Sequence, residues 1–415
     1  MMKTIEFFTS SFPGETNDAV IEAIFGSLVG LEGVKPFDAN LVAFVNQFSK
    51  KLLLRRDIRK YPELAVLANF FRKKNLENQE NLYMHSENGS TNLPRGVIFN
   101  IAPANVDSIF LYSSLISLLC GNVNIIRLSQ RTNEQLSILL EVLNELMSGE
   151  FSWIKKRLII LTYPHDDLIT LSFSMRCNGR VVWGGDETVN SIRKIPLRPT
   201  AVEACFPDRF SSCVINAADI IIISQDGLRD LAKKFYNDTV WFSQQACSSP
   251  RMLAWVGTID NCRLAKNRFW ETYDKLLSVM DFENSGSMSI DRLVSCCLIA
   301  AEGDSELVSG IGKFPMRIEL TTDLNDAIKA LHGGNGLFIE KTFTCLEDFT
   351  TSLTDRDQTL THFGFSNDEL TRVAYKLPFD AGARFIKIGS ALDFSAIWDG
   401  INLFSFYTRK FQIHL

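Results

Sequence analysis

Cys247 is the residue best placed for chemistry. It lies in a turn of small and polar residues, Gln244-Gln245-Ala246-Cys247-Ser248-Ser249-Pro250, between a helical pattern over 227–242 and an apolar strand pattern over 252–256. A loop held by rigid elements is where reactive groups are commonly placed. As a thiolate, Cys247 is a nucleophile; an ordinary turn cysteine is the competing reading. The C-terminal end of a helix disfavours an anion, so the nucleophile reading requires another group to lower the thiol's pKa. The other cysteines offer less. Cys120, Cys213, Cys296 and Cys297 sit within apolar runs and read as small core residues. Cys177, Cys205, Cys262 and Cys345 have mixed surroundings and no metal-ligand spacing, so a zinc site is not expected.

A second candidate is Gly184-Gly185-Asp186-Glu187, which follows a strand pattern over 180–183 and opens a short helical pattern. Strand, small-residue turn and helix N-terminus make a phosphate-facing site. The spacing is neither G-x-G-x-x-G nor a P-loop, and a plain βα turn explains it as well. The histidines, His85, His165, His332, His362 and His414, are scattered singly and read as structural or exposed. No G-x-S-x-G is present, so a Ser-His-Asp hydrolase is unsupported.

The elements that must carry these residues follow from periodicity. Three helical patterns open the chain, over 18–31, 40–56 and 64–74, and a polar stretch over 75–91 follows, with Asn88-Gly89-Ser90 as a turn or loop. Short apolar runs over 96–102, 122–128, 158–162 and 180–183 then alternate with helical patterns over 107–119, 133–147 and 166–174. That alternation implies βαβ units and a mostly parallel sheet covered on both faces. A second α/β series starts near Ser211, with strands expected over 212–215, 252–256, 317–320 and 336–339.

With 415 residues, 46% of them hydrophobic, the chain can fill two or three self-sufficient cores. A net charge of −5 without a long basic tract argues against a nucleic-acid partner. The uncharged stretch over 108–126 is interrupted by Ser113, Ser114, Ser117, Gly121, Asn122 and Asn124, so it reads as helix, turn and strand instead of a membrane span. Residues 1–9 do not read as a secretory signal, and nine cysteines, an odd number, fit reduced thiols in the cytoplasm.

Several segments together resemble the aldehyde dehydrogenase superfamily, and within it the LuxC-type acyl-CoA and acyl-protein reductases. They are Gly96-Val-Ile-Phe-Asn-Ile-Ala-Pro-Ala-Asn105-Val with Gly121-Asn-Val-Asn-Ile-Ile-Arg127-Leu-Ser-Gln130; Val182-Trp-Gly-Gly-Asp-Glu-Thr-Val189; Asp208-Arg-Phe-Ser-Ser212; Phe242-Ser-Gln-Gln-Ala-Cys247-Ser-Ser-Pro-Arg251; and Ile388-Gly-Ser-Ala-Leu-Asp with Ile397-Trp398-Asp399-Gly400. They keep the family's order from about Leu93 to the C-terminus.

The resemblance implies an α/β fold with two Rossmann-like domains and an interdomain active-site cleft. It divides the chain into N-terminal helices plus a coenzyme domain over 1–210, a catalytic domain over 211–390, and a segment over 391–415 that returns to the coenzyme domain or an oligomer interface. Cys247 matches the acyl-accepting nucleophile, and Asn105 the amide that steadies the tetrahedral oxyanion together with the Cys247 backbone N–H. Pro103, Arg127, Ser129, Gln130, Gly184, Gly185 and Asp186 match coenzyme-binding positions. NAD-preferring relatives usually carry a glutamate where Gln130 stands. A neutral Gln130 between Arg127 and Arg131 removes the repulsion of a 2′-phosphate, so NADPH is expected ahead of NAD.

Hydrolytic members place a glutamate base upstream of the cysteine, and Phe206 falls at that position; Glu203 restores a base only if the match is shifted by three residues. Asn100 stands where luminescence-type reductases often have histidine. The expected reaction is NADPH-dependent reduction of a fatty acyl thioester, on CoA or on an acyl-protein synthetase or carrier protein, to an aldehyde. A CoA-acylating dehydrogenase working oxidatively with NAD and a non-catalytic acyl-transfer scaffold are the alternatives. A homo-oligomer is typical of the superfamily.

Overall fold

The computed structural model of the chain describes residues 4–85, 91–103, 107–131, 133–282, 284–309, 313–378, 381–382 and 384–412. It contains two compact units, one made of Met1–Pro207 with Phe394–Leu415, the other of Asp208–Asp393. Among the described residues, no helix is long and apolar enough to cross a membrane.

The first unit is built on strands β1 (Glu6–Phe7), β2 (Thr91–Pro94), β3 (Val97–Ile101), β4 (Val123–Leu128), β5 (Leu158–Thr162), β6 (Gly179–Trp183) and β7 (Val202–Phe206). Its helices are α1 (Asn17–Leu28), α2 (Ala39–Leu54), α3 (Pro62–Phe70), α4 (Lys73–His85), α5 (Asp107–Leu119), α6 (Glu134–Ser148), α7 (Asp167–Ser174) and α8 (Asp186–Arg193). The sheet runs β1-β5-β4-β3-β6-β7, parallel except for β1. β4 and β5 are buried along their whole length, as strands covered on both faces must be. Side-chain caps start the helices where expected: Asn133 accepts from Leu136 N–H, and Asp166 from Leu168 and Ile169 N–H. Between α5 and β4 the chain reverses at Gly121, whose φ is 86°. A Cβ there would lie 2.0 Å from the Val34 carbonyl oxygen, so only glycine fits.

Residues 394–412 complete this unit. The strand Thr408–Phe411 pairs antiparallel with β2, and buried Tyr407 hydrogen-bonds Ser113 through its hydroxyl at 2.6 Å. Arg95 Nε donates to the Phe406 carbonyl at 2.6 Å, and Asn122 Nδ2 to the Tyr407 carbonyl at 2.9 Å.

The second unit is built on β8 (Phe210–Asn216), β9 (Met252–Val256), β10 (Ser305–Ser309), β11 (Met316–Leu320), β12 (Leu337–Phe343), β13 (Asp357–Phe363) and β14 (Arg384–Lys387). The sheet order is β10-β11-β12-β9-β8-β13-β14, parallel except for β10. Helices α9 (Ala217–Ile222), α10 (Gln225–Thr239) and α11 (Ile259–Leu277) cover one face through Leu228, Phe235, Phe269 and Tyr273; α12 (Gly286–Glu302) covers the other through Cys296 and Ile299.

The structure adds to one expectation and corrects another. The polar stretch over 75–91 is helical to His85, because Leu76 and Tyr83 are buried on one side of α4 while its polar residues face outward; Asn88-Gly89-Ser90 lies outside the described residues. The helical pattern over 64–74 is two helices, broken after Phe70, since α3 begins at Pro62 and ends before Lys73 opens α4.

Candidate active site

Cys247 sits before β9, at the edge of the second sheet where its parallel strands begin, and it is half-buried. None of the nine cysteines forms a disulfide. After α10 ends at Thr239, the chain folds back on itself: Gln244 N–H donates to the Thr239 carbonyl at 2.9 Å. Ser243 and Gln244 take left-handed φ values of 49° and 59°, a strained conformation for side-chain-bearing residues.

What holds that strain is a set of hydrogen bonds, those of the Gln244 side chain buried. The Gln244 side chain donates to the Pro250 carbonyl at 2.9 Å and accepts from Gly336 N–H at 2.8 Å. Gln245 Nε2 donates to the Gly333 carbonyl at 2.7 Å, and Asn335 N–H to the Ser243 carbonyl at 2.7 Å. On the other side, Ser211 Oγ in β8 donates to the Cys247 carbonyl at 2.7 Å while accepting from Thr359 N–H of β13 at 3.2 Å. The Cys247 backbone is thereby fixed to the sheet and to the loop His332-Gly333-Gly334-Asn335-Gly336.

His332 belongs to this scaffold. Its Nδ1 accepts from Gly334 N–H at 3.1 Å, which places the ring proton on Nε2, and Nε2 donates to the Leu337 carbonyl at 3.0 Å. Burial, together with the Arg251 charge, pushes its pKa down to about 3, so the ring is neutral. Both nitrogens are spent on the loop, in keeping with a structural histidine.

In the first unit the coenzyme candidates gather at the opposite kind of edge, where strands end. Pro103 follows β3, Ser129 and Gln130 follow β4, and Gly184 and Gly185 follow β6. Gly185 is the N-cap of α8 and supplies no side-chain cap; a Cβ on Gly184 would lie 3.1 Å from Thr188. This backbone suits a close-approaching phosphate. Asp186 and Glu187 in the first turn complement the helix dipole themselves, so the fit rests on backbone N–H groups and not on net charge. Trp183 Nε1 and Arg127 Nε are buried polar atoms without a partner among the described residues. Trp183 ends β6 just before the turn, and a buried donor left unsatisfied there is what a polar ligand completes. The Arg127 guanidinium donates to the Tyr163 carbonyl at 3.3 Å and lies 4.8 Å from that ring's centroid; Gln130 and Arg131 are exposed. Of the two cations flanking Gln130, Arg131 is therefore the outward one.

At the end of β7, Phe206 stacks on Trp183 with ring centroids 3.9 Å apart. Glu203, three residues earlier, accepts from Arg180 Nε at 2.6 Å and lies 3.7 Å from Arg193. Arg180 is buried and also donates to Ser174 and to the Ile195 carbonyl. Glu203 is thus the counter-ion of a buried guanidinium. Asn100 is buried in β3 and donates to Asn124 at 3.3 Å. Asn105 lies outside the described residues. Among the described residues, no group of three or more His, Cys, Asp or Glu is placed to hold a metal ion.

Sequence reasoning passed over Ser211, Gln244 and the 332–336 loop as parts of the site. The last had a visible signal, Gly-Gly-Asn-Gly before an apolar strand, where three consecutive left-handed residues, Gly334, Asn335 and Gly336, are required.

The family model described as acyl-CoA reductase (LuxC) matches residues 33–265. No curated protein matches the chain. Solved structures similar to it include an NAD-dependent aldehyde dehydrogenase from Sinorhizobium meliloti, 12% identical, with a TM-score of 0.70 over 97% of this chain and 88% of that one. An NADP-dependent enzyme of E. coli is 11% identical, with a TM-score of 0.67 over 95% and 89% of the two chains. Aldehyde dehydrogenase 21 from Physcomitrella patens is 11% identical, with a TM-score of 0.66 over 96% and 90%. At these identities the likeness establishes a shared aldehyde dehydrogenase fold.

Proposed function

We propose that this chain, which belongs to the acyl-CoA reductase (LuxC) family, takes an acyl group from a thioester onto Cys247 and releases it as an aldehyde, with NADPH as reductant. The observation that carries this reading is the half-buried Cys247 on a strained turn tied by Ser211, Gln244 and Gln245 to two neighbouring strands and a loop. Such anchoring spends structure on holding one side chain in place, which is what a nucleophile requires.

In the first step the Cys247 thiolate adds to the thioester carbonyl carbon. The resulting oxyanion is assigned to Asn105 and the Cys247 backbone N–H. Its collapse breaks the bond to the donor's sulfur, which leaves as a thiolate, and leaves an acyl-Cys247 thioester. NADPH, when bound at the turns after β3, β4 and β6, supplies the hydride. The reduced carbon then carries an alkoxide; re-forming C=O breaks the C–S bond, giving aldehyde and the Cys247 thiolate. Water is a poor competitor, because Phe206 is apolar and Glu203 is held by Arg180, so neither activates it. Exposed Gln130 and Arg131 accept a 2′-phosphate that a glutamate would repel, which favours NADPH over NAD.

The donor is taken to be a fatty acyl-CoA or an acylated protein, and the working form a homo-oligomer. Nine cysteines without a disulfide fit a reducing, cytoplasmic setting. The test is oxidation of NADPH and of NADH with acyl-CoAs from short to long, comparing wild type with Cys247→Ala. Turnover that needs Cys247 and prefers NADPH is expected. Aldehyde oxidation with NAD as the faster direction would favour the CoA-acylating alternative, and absence of any acyl group on Cys247 would leave the scaffold reading.

A further inference from the structure

We propose that Arg251 is the cation that holds Cys247 as a thiolate, a positioning residue that acts on the reaction only through the sulfur. This rests on Cys247 being the nucleophile. Arg251 closes the same turn, four positions on, and its backbone is fixed on both sides: its N–H donates to the Ser211 carbonyl at 2.8 Å, and its carbonyl accepts from Ile339 N–H at 3.0 Å. Ser211 is also the residue whose hydroxyl holds the Cys247 carbonyl. Arg251 and Cys247 are therefore bolted to one strand through a single residue.

The guanidinium is directed back into the turn, where Nη2 donates to the Gln244 carbonyl at 3.4 Å. That long bond engages one of the five N–H donors a guanidinium carries. Arg251 is half-buried, and a half-buried cation engaged by one long hydrogen bond is open to a nearby anion. Burial opposes the charge on Arg251, and the groups offsetting this are Cys247 first and Asp208 second. The remaining titratable neighbour, His332, is kept neutral partly by the same guanidinium. So the charge is felt beside the turn, where neutral His332 offers it no anion and Asp208 acts on it less than Cys247 does.

The arrangement answers a physical need. The turn follows the C-terminal end of α10, where exposed carbonyls do not favour a thiolate. An adjacent cation is the usual remedy.

The experiment is the rate of iodoacetamide modification at Cys247 from about pH 5 to 10, read by peptide mass spectrometry, with exposed Cys297 as the internal reference. Wild type, Arg251→Met and Arg251→Lys are compared, with melting curves for each. In wild type the midpoint is expected at least about one pH unit below the roughly 8.5 of an ordinary thiol. Arg251→Met should move it up by about one unit or more, slowing modification at pH 7 about tenfold, and Arg251→Lys should restore most of it. A wild-type midpoint at or above the ordinary value overturns the proposal without any variant, as does an Arg251→Met profile that superimposes on wild type. If Arg251→Met does not fold, the wild-type midpoint and the Lys variant still decide. Labelled acyl-CoA is tested in parallel on wild type. A shifted profile with no acyl group on Cys247 removes the proposed reaction and leaves Arg251's role intact.

Discussion

The two large sheets of this molecule are each parallel but for one edge strand, yet they present their candidate groups at opposite strand ends. In the first unit the candidates follow β3, β4 and β6, where α5, α6 and α8 begin. That edge offers helix N-termini and backbone N–H groups, which suit an anionic ligand brought from outside. In the second unit they precede β9 and β12, where helices end and carbonyls collect. Such an edge repels anions, so an anion made there from a side chain must come with its own cation. The comparison separates two jobs: binding a negative ligand is done with backbone, while stabilising a negative side chain needs Arg251 or its equivalent.

The sharpest way to break this comparison is to disturb one edge and read both functions. Gly334→Ala puts a Cβ 2.7 Å from Gln245 Nε2 and 2.9 Å from the Ser243 carbonyl, at a φ of 74°. Displacing the Cys247 turn by a fraction of an ångström should slow acylation about 100-fold, while coenzyme affinity stays within about twofold. Acyl trapping and NADPH titration measure the two separately; equal losses in both would erase the distinction. The reciprocal change is Gly184→Val in the β6–α8 turn, where the new side chain meets Thr188 at 3.1 Å. KM for NADPH should rise about tenfold, roughly 1.4 kcal/mol, with acylation of Cys247 unchanged.

How far these regions were legible beforehand depended on whether their partners are local. β5 and β9 announce themselves as apolar runs, and the Cys247 turn as small residues ending in proline. β13, Asp357-Gln-Thr-Leu-Thr-His-Phe, went unseen because it reads as polar. Two of its polar residues find partners distant in sequence: Asp357 pairs with Lys329 at 2.6 Å, and Thr359 Oγ1 accepts from Arg384 Nε at 3.0 Å. β7 was missed for a similar reason, since Glu203 looks out of place until Arg180 is brought beside it by the β6–β7 register. In the site, the cysteine was visible and its supports were not, because Ser211 and the 332–336 loop reach it only through folding.

Glu203→Gln tests whether that carboxylate serves the fold or the chemistry. Weakening the partner of buried Arg180 should cost about 1–3 kcal/mol in denaturant unfolding, with the lifetime of the acyl-enzyme unchanged. A longer-lived acyl-enzyme would identify Glu203 as a base after all.

A further test is the acid sensitivity of the Cys247 support. His332 has a pKa pushed down to about 3 by burial and by Arg251. Its ordinary value is about 6.5, so between these limits the unfolded chain binds a proton that the folded one does not. Stability of the second unit should therefore fall as pH drops from about 6.5 toward 4. His332→Asn should melt lower than wild type at pH 7 yet lose less on acidification, as followed by thermal unfolding at each pH.

The pairing of β2 with the strand Thr408–Phe411 also sets an order of events during synthesis. Arg95 finds its carbonyl partner 311 positions later, after the entire second unit has been made. At roughly 5–20 residues per second, the ribosome takes on the order of 15–60 s to supply it. Throughout that interval Tyr112, Ser113 and Asn122 lack Phe394, Tyr407 and the final strand that cover them. The second unit, contiguous in sequence, has all its residues before the first unit has its last strand.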